Sequence, residues 1–230
     1  MRTEGMELDP AKSPEEIEAR SFALIEAEIP EPRPFTGALW RVARRCVHTA
    51  GDTAIVADLR LNRESMKAGL AALERGCTVY TDTRMAAAGL PPRRLRPLGV
   101  SVTALPELPG LEEIAVRRGI TRARAAMEAV AEKLDGQIIV VGNAPTALLA
   151  LLESLEAGAP PPALIIGMPV GFVNAAQSKR LLAQSPWPHF TLLGRRGGSA
   201  VAAACVNALA ELALERLRLR RGENGGFLPA

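Results

Sequence analysis

The chain has 230 residues, 48% of them hydrophobic and 23% charged, with a net charge of +3; this length lies near the upper end of one domain and can bury a substantial core. A single Tyr and five Phe leave almost no aromatic surface for stacking bases, and the charge is only mildly positive, so nucleic acid is excluded as a partner. No apolar run reaches the ~20 residues of a membrane span, and the acidic N-terminus carries neither a secretory nor a transit signal, so a cytoplasmic protein without a membrane partner is expected.

The first predicted helix starts at Ser13-Pro14-Glu15-Glu16, a capping box with proline at the first helical position. Ile17, Phe22, Leu24, Ile25 and Ile29 carry it to about residue 29. The prolines of residues 30–34 break it. A second helix holds Leu39, Val42 and Val47 together with Arg44, Arg45 and His48, and a third runs over 64–75 to stop at Gly76. From there short β-branched or apolar runs alternate with helical stretches. Strands are predicted at 78–80, 100–104, 138–141, 164–166 and 190–193, and helices at 122–134, 146–156, 175–183 and 200–221. The pattern predicts an α/β fold: a single-domain, mainly parallel sheet with helices on both faces, and flexible tails at 1–12 and 222–230. The helix over 200–221, rich in Ala and Leu, offers an apolar face to a partner or to the sheet.

Ligands of such sheets bind beyond the carboxyl ends of the strands, and three glycine-containing loops fall there: Gly142-Asn143-Ala144-Pro145-Thr146, Gly167 to Asn174, and Gly194-Arg195-Arg196-Gly197-Gly198-Ser199. In the last, glycines allow close backbone approach and a helix start attracts an anion, helped by Arg195; a purely structural turn explains the loop equally well. It has neither the lysine of a P-loop nor the glycine spacing of a dinucleotide fingerprint, so neither ATP nor NAD is implied. Asn174-Ala175-Ala176-Gln177 is predicted to form a capping box. Thr121 is a sound N-cap, yet Arg122 and Arg124 stand in the first turn, where the helix dipole disfavours cations unless they share an anion.

The arginines cluster at 44–45, 93–96, 117–124 and 195–196. Guanidinium binds carboxylates in a two-toothed planar geometry, which suits a substrate with several carboxylates. The 93–96 and 117–118 groups are expected to be solvated surface. Cys46, Cys77 and Cys205 are odd in number and lack metal-site or disulfide spacing, so reduced, structural thiols are expected. Of the two histidines, His189 reads as structural or exposed. His48 has Arg44 and Arg45 four and three residues before it on one helical face, where cationic neighbours would lower its pKa if no carboxylate intervened.

Arg44-Arg45-Cys46-Val47-His48-Thr49-Ala50-Gly51-Asp52, Gly142 to Leu148 and Gly167-Met168-Pro169-Val170-Gly171-Phe172-Val173-Asn174, in this order, resemble the precorrin-8X methylmutase family of corrin biosynthesis. The resemblance runs from Arg20-Ser21-Phe22-Ala23 to Ala208 and takes in Asp82, Met85 and Gly89; residues 91–111 match poorly. It implies an intramolecular methyl migration from carbon 11 to carbon 12 of a tetrapyrrole, giving hydrogenobyrinate from precorrin-8X or cobyrinate from cobalt-precorrin-8. No methyl donor, cofactor or protein-bound metal is implied, and a homodimer is. Carried over residue by residue, it makes His48 the catalytic residue and places Ser21, Arg45 and Arg122, which follows Thr121, on the substrate. Gln177 departs from the Glu usual in the family, leaving Ser178 and Lys179 as the possible functional members there. With Arg195 and Ser199 of the glycine-rich loop, the expected substrate-binding set is Ser21, Arg45, Thr121, Arg122, Lys179, Arg195 and Ser199. Two alternatives stay open: a tetrapyrrole carrier without catalysis, and another α/β enzyme for an anionic metabolite centred on the Gly194 to Ser199 loop.

Overall fold

In the computed structural model, which describes residues 13–222, β-branched runs assemble into one sheet. Its strands are β1 (Leu59–Arg60), β2 (Thr78–Thr81), β3 (Ser101–Ala104), β4 (Ile138–Val141), β5 (Leu164–Gly167) and β6 (His189–Leu192), in the order β1-β6-β5-β4-β2-β3. All neighbours are parallel except β1 and β6, with Val79 opposite Ile138, Ile138 opposite Leu164 and Ile165 opposite His189. The expected tails lie outside the described residues apart from Gly222.

The helices are α1 (Pro14–Glu28), α2 (Gly37–Ala50), α3 (Arg63–Glu74), α4 (Arg84–Ala88), α5 (Pro92–Leu95), α6 (Leu111–Arg118), α7 (Arg122–Glu128), α8 (Pro145–Glu156), α9 (Ala175–Gln184) and α10 (Ser199–Arg220). They cover both faces of the sheet. Strand alternation divides the core accordingly: Ile138, Val140, Leu164 and Ile166 pack with α2, α3 and α10, while Ile139, Val141 and Ile165 pack with α7 and α8. These strand residues are fully buried, each contributing about 1.5–3 kcal/mol of burial. The apolar face of α10 is spent within the subunit, on the sheet and on α2 and α3, with Val201, Val206, Leu209 and Leu214 all buried. Cys46 and Cys205 touch at 3.3 Å across the α2–α10 seam, where the hydrogen bond between them and burial raise the Cys205 thiol well above its ordinary range. All three cysteines are free, as expected.

Several local features differ from expectation, among them the short helices α4, α5 and α6, which the sequence reading does not predict. Strand β1 was not anticipated, since two residues show no alternation. The helix expected over 122–134 ends at Glu128 and tightens into a 3₁₀ turn at Ala131–Lys133; this puts Val130, Ala131 and Leu134 in the core before Gly136 (φ 67°) turns the chain toward β4. Asn174 forms no capping box: it lies in the left-handed region (φ 62°) and its side chain makes no cap bond, because a capping oxygen reaches the first-turn amides from extended backbone. Arg94, expected at a solvated surface, is instead held inside beside Glu211, at 2.8 Å, and burial lowers its pKa. The Ser13 capping box and the Thr121 cap form as expected.

Candidate active site

One acidic residue ties the carboxyl end of β2 to that of β4. Asp82 follows β2, and its carboxylate accepts hydrogen bonds from the backbone N–H groups of Gly142, Asn143 and Ala144, each at 2.8 Å. It thereby holds, from the neighbouring strand, the three residues that lead into α8, whose N-cap position, Ala144, has no side-chain cap bond. Burial pushes its pKa up and the three amides oppose this, with the balance upward. The next residue, Thr83, caps α4 by accepting from Ala86 N–H and shares a 2.8 Å hydrogen bond with the Ser199 hydroxyl at the start of α10. A Cβ on Gly142 would stand 2.6 Å from Ser199 Cα, so only glycine lets these segments meet.

Beside this junction opens a cleft of about 410 Å³. Asp82, Thr83, Arg84, Leu105, Arg122 and Asn143 contribute to its wall. Arg122 is 58% exposed and only loosely engaged, its Nε 3.1 Å from an exposed Glu112. Thr121 accepts from Arg124 N–H and donates to Thr146 Oγ1 at 2.9 Å, which binds the start of α7 to α8.

The third glycine loop is built over a buried lysine. Lys179, with no exposed surface, donates from Nζ to the carbonyl of Arg196 at 2.6 Å; burial pulls its pKa down to about 8, with Asp58 opposing. Gly197 passes so close to Met168 that a Cβ would lie 2.3 Å from its carbonyl oxygen. Arg195 is exposed and stacks 5.2 Å from the ring centre of Phe172. Arg196 pairs with Asp52 and, at 2.8 Å, with Asp58, joining the loop to the segment just after α2.

That pairing brings Asp52, two residues past the end of α2, to the loop; His48 stands four residues before it, in the last turn of the helix. The half-buried His48 ring meets Phe22 of α1 edge to face, centroids 5.4 Å apart. The guanidiniums of Arg44 and Arg45 lie 4.1 and 5.1 Å from the centre of that Phe22 ring. Carboxylates do intervene: Arg44 pairs with Glu26, and Arg45 with Glu18 and with Glu211 of α10. Arg45 is consequently 12% exposed. Ser21 donates to the Ile17 carbonyl at 2.8 Å. His189 is buried, with Nδ1 2.8 Å from the Trp187 carbonyl oxygen.

The expected residues therefore fall into three sets. Ser21, Arg45 and His48 lie on the α1–α2 side, Thr121 and Arg122 at the cleft, and Lys179, Arg195 and Ser199 around the glycine loop. Sequence reasoning missed the partners of these residues, Glu18, Glu211, Thr83 and the linking role of Asp82, because each acts on groups far away in the chain. Residues 16–212, a span running through all three sets, match the precorrin-8X methylmutase family. The chain belongs to that family. A precorrin-8X methylmutase of Pseudomonas aeruginosa is 43% identical over 205 residues, covering 88% of this chain and 98% of that protein. A cobalt-precorrin-8 methylmutase of Priestia megaterium is 36% identical, covering 87% and 88%. The crystal structure of a precorrin-8X methylmutase from Thermus thermophilus superposes with a TM-score of 0.79 at 42% identity, covering 87% of this chain and 96% of that one. The mainly parallel α/β sheet is thus the methylmutase fold.

Proposed function

We propose that this methylmutase-family chain is an isomerase of cobalamin biosynthesis that moves a methyl group from carbon 11 to carbon 12 of precorrin-8X or cobalt-precorrin-8, giving hydrogenobyrinate or cobyrinate. The observation that carries this reading is the match of residues 16–212 to the precorrin-8X methylmutase family, supported by the tie of Arg196 in the arginine-bearing loop to Asp52, four residues after His48. The step is internal to the substrate. The bond from the methyl group to carbon 11 breaks as the bond to carbon 12 forms, with no change in electron count, so neither a methyl donor nor a cofactor takes part. Cobalt, where present, belongs to the substrate; among the described residues no group of His, Cys, Asp and Glu side chains could hold a metal ion.

The residues divide the work by their accessibility. Arg122 and Arg195, with Thr121 and Ser21, take peripheral carboxylates in charge-assisted hydrogen bonds and fix the flexible macrocycle in the reactive conformer. Arg45 joins them by exchanging Glu18 for a substrate carboxylate, while Lys179 and Ser199 act on the loop backbone and the Thr83 junction. His48 donates a proton or hydrogen bond to ring C and stabilises the tautomer formed as the methyl group moves.

The protein acts as a homodimer in the cytoplasm. Phe172 and Val173, 83% and 77% exposed beside the half-exposed Val170, form an apolar loop tip suited to a second copy. Among the described residues no helix is long and apolar enough to cross a membrane. Incubation with precorrin-8X, followed by visible absorption, tests the activity. Turnover is expected; a static shift would indicate a carrier, and no response would remove the tetrapyrrole. Light scattering is expected to give a dimer mass at micromolar concentration.

A further inference from the structure

Three backbone N–H groups converging at the end of a parallel strand form the kind of nest that holds an anionic ligand group. Here the nest of Gly142, Asn143 and Ala144 is already filled, by the protein's own Asp82. Asp82 is 6% exposed, and among the described residues no cation pairs with it; its charge is balanced by amides alone. A substrate carboxylate is therefore turned away from these amides and must be met by side chains beyond them.

Asn143 is the residue that this arrangement puts forward. Its backbone N–H is clamped by Asp82 at 2.8 Å, and the preceding Gly142 is pressed against Ser199, so the residue cannot drift. Its side chain is exposed on the wall of the cleft that also holds Arg122, and has no hydrogen-bond partner among the described residues. A carboxamide offers two N–H donors and is uncharged. It can share a carboxylate with Arg122, or satisfy the second oxygen that a single guanidinium leaves open.

We infer that Asn143 is a substrate-contacting residue of the methylmutase, holding a peripheral carboxylate together with Arg122, and that Asp82 is the positioning residue that fixes it there. This inference rests on the methylmutase reading and deepens it. Asp82 does not touch the substrate. It acts through the Gly142 to Ala144 backbone, and so its loss is felt in substrate binding only while Asn143 is present.

The test uses the full-length protein with precorrin-8X for turnover and hydrogenobyrinate for binding by visible absorption, comparing the parent with Asn143→Ala, Asn143→Asp, Asp82→Asn and the Asp82→Asn/Asn143→Ala pair. Asn143→Ala removes one hydrogen bond to a charged group and is expected to raise KM and product Kd about tenfold, with little change in kcat. Asn143→Asp, nearly isosteric, sets a negative charge against the carboxylate and is expected to weaken binding further. Asp82→Asn is expected to raise KM as well, and to add nothing to KM when Asn143 is already Ala. Asn143 is exposed, so both its variants remain interpretable even if Asp82→Asn fails to fold. A parent that turns over beside an Asn143→Ala with parental KM and Kd overturns the inference alone. Additive KM effects in the pair overturn the positioning role of Asp82. A parent that neither converts nor binds the tetrapyrrole overturns both the inference and the methylmutase reading.

Discussion

The two sides of the candidate site handle positive charge in opposite ways. Around His48 the arginines are enclosed and matched: Arg45 and Arg94 share Glu211 and are 12% and 13% exposed, and Arg44 holds Glu26. At the cleft, Arg122 and Arg84 are 58% and 71% exposed, each near an exposed glutamate, and the buried charge there is the carboxylate of Asp82. Enclosed pairs are costly to disturb, whereas exposed pairs are worth little and exchange partners readily. The His48 side is thus a platform on which Arg45 stays anchored to Glu211 even when it trades Glu18 for a substrate carboxylate, and the cleft is a docking edge whose guanidiniums are already available to a polycarboxylate.

The largest effect should follow from emptying the platform of its imidazole. His48→Ala is expected to fold and to bind the tetrapyrrole with parental affinity, yet to lose roughly 100-fold to 10,000-fold in turnover, the range for a positioned general acid. Single-turnover conversion measured alongside thermal unfolding checks this. A stable variant with parental rate would reduce His48 to packing against Phe22.

Next comes the contrast between enclosed and exposed arginines. Glu211→Ala leaves Arg45 and Arg94 without their shared partner and is expected to cost about 3 kcal/mol of stability in denaturant unfolding. Arg122→Ala should do the reverse, leaving stability within about 0.5 kcal/mol and weakening product binding by about 1.5–3 kcal/mol. Equal stability losses in the two variants would erase the distinction.

The last effect is a slope rather than a step and concerns Lys179 beneath the glycine loop. Its native pKa is lowered to about 8 from 10.5, so between these values the native state has released a proton that the unfolded chain still holds. Stability gains from this residue as pH rises through that window, by at most about 1.4 kcal/mol per pH unit, and below pH 8 the buried ammonium is the costly form. Denaturant midpoints from pH 7 to 10 should show this slope in the parent and lose it in Lys179→Met. An identical slope in both would assign it to other groups.

Much of the architecture is legible in the sequence because it is written locally. Ile138-Ile139-Val140-Val141 announces a strand buried on both faces, Ser13 and Thr121 announce helix starts, and each glycine loop falls at a strand end. What stays hidden is set by distant partners or by very short elements. Leu59–Arg60 becomes a strand only because β6 lies alongside. Arg45 looks like a free cation until α1 and α10 bring Glu18 and Glu211 from 27 residues before and 166 after. Asp82 carries no local mark, since its partners are backbone amides about 60 residues downstream. His48 and Arg122 stood out through the family resemblance, and their physical settings supplied support rather than discovery.

Helix α10 gives the molecule a fixed gauge. Its first residue, Ser199, joins the Thr83 junction, and Glu211, twelve positions later, grips Arg45, a span of about 18 Å at the helical rise per residue. The docking edge and the imidazole platform are thus held in phase by a rod that tolerates no slippage. One inserted residue between these points would advance Glu211 by ~1.5 Å and swing it about 100° around the helix axis, taking its carboxylate off Arg45 while leaving every side chain of both regions unchanged. The exact count of residues along α10, as much as their identity, belongs to the specification of the enzyme.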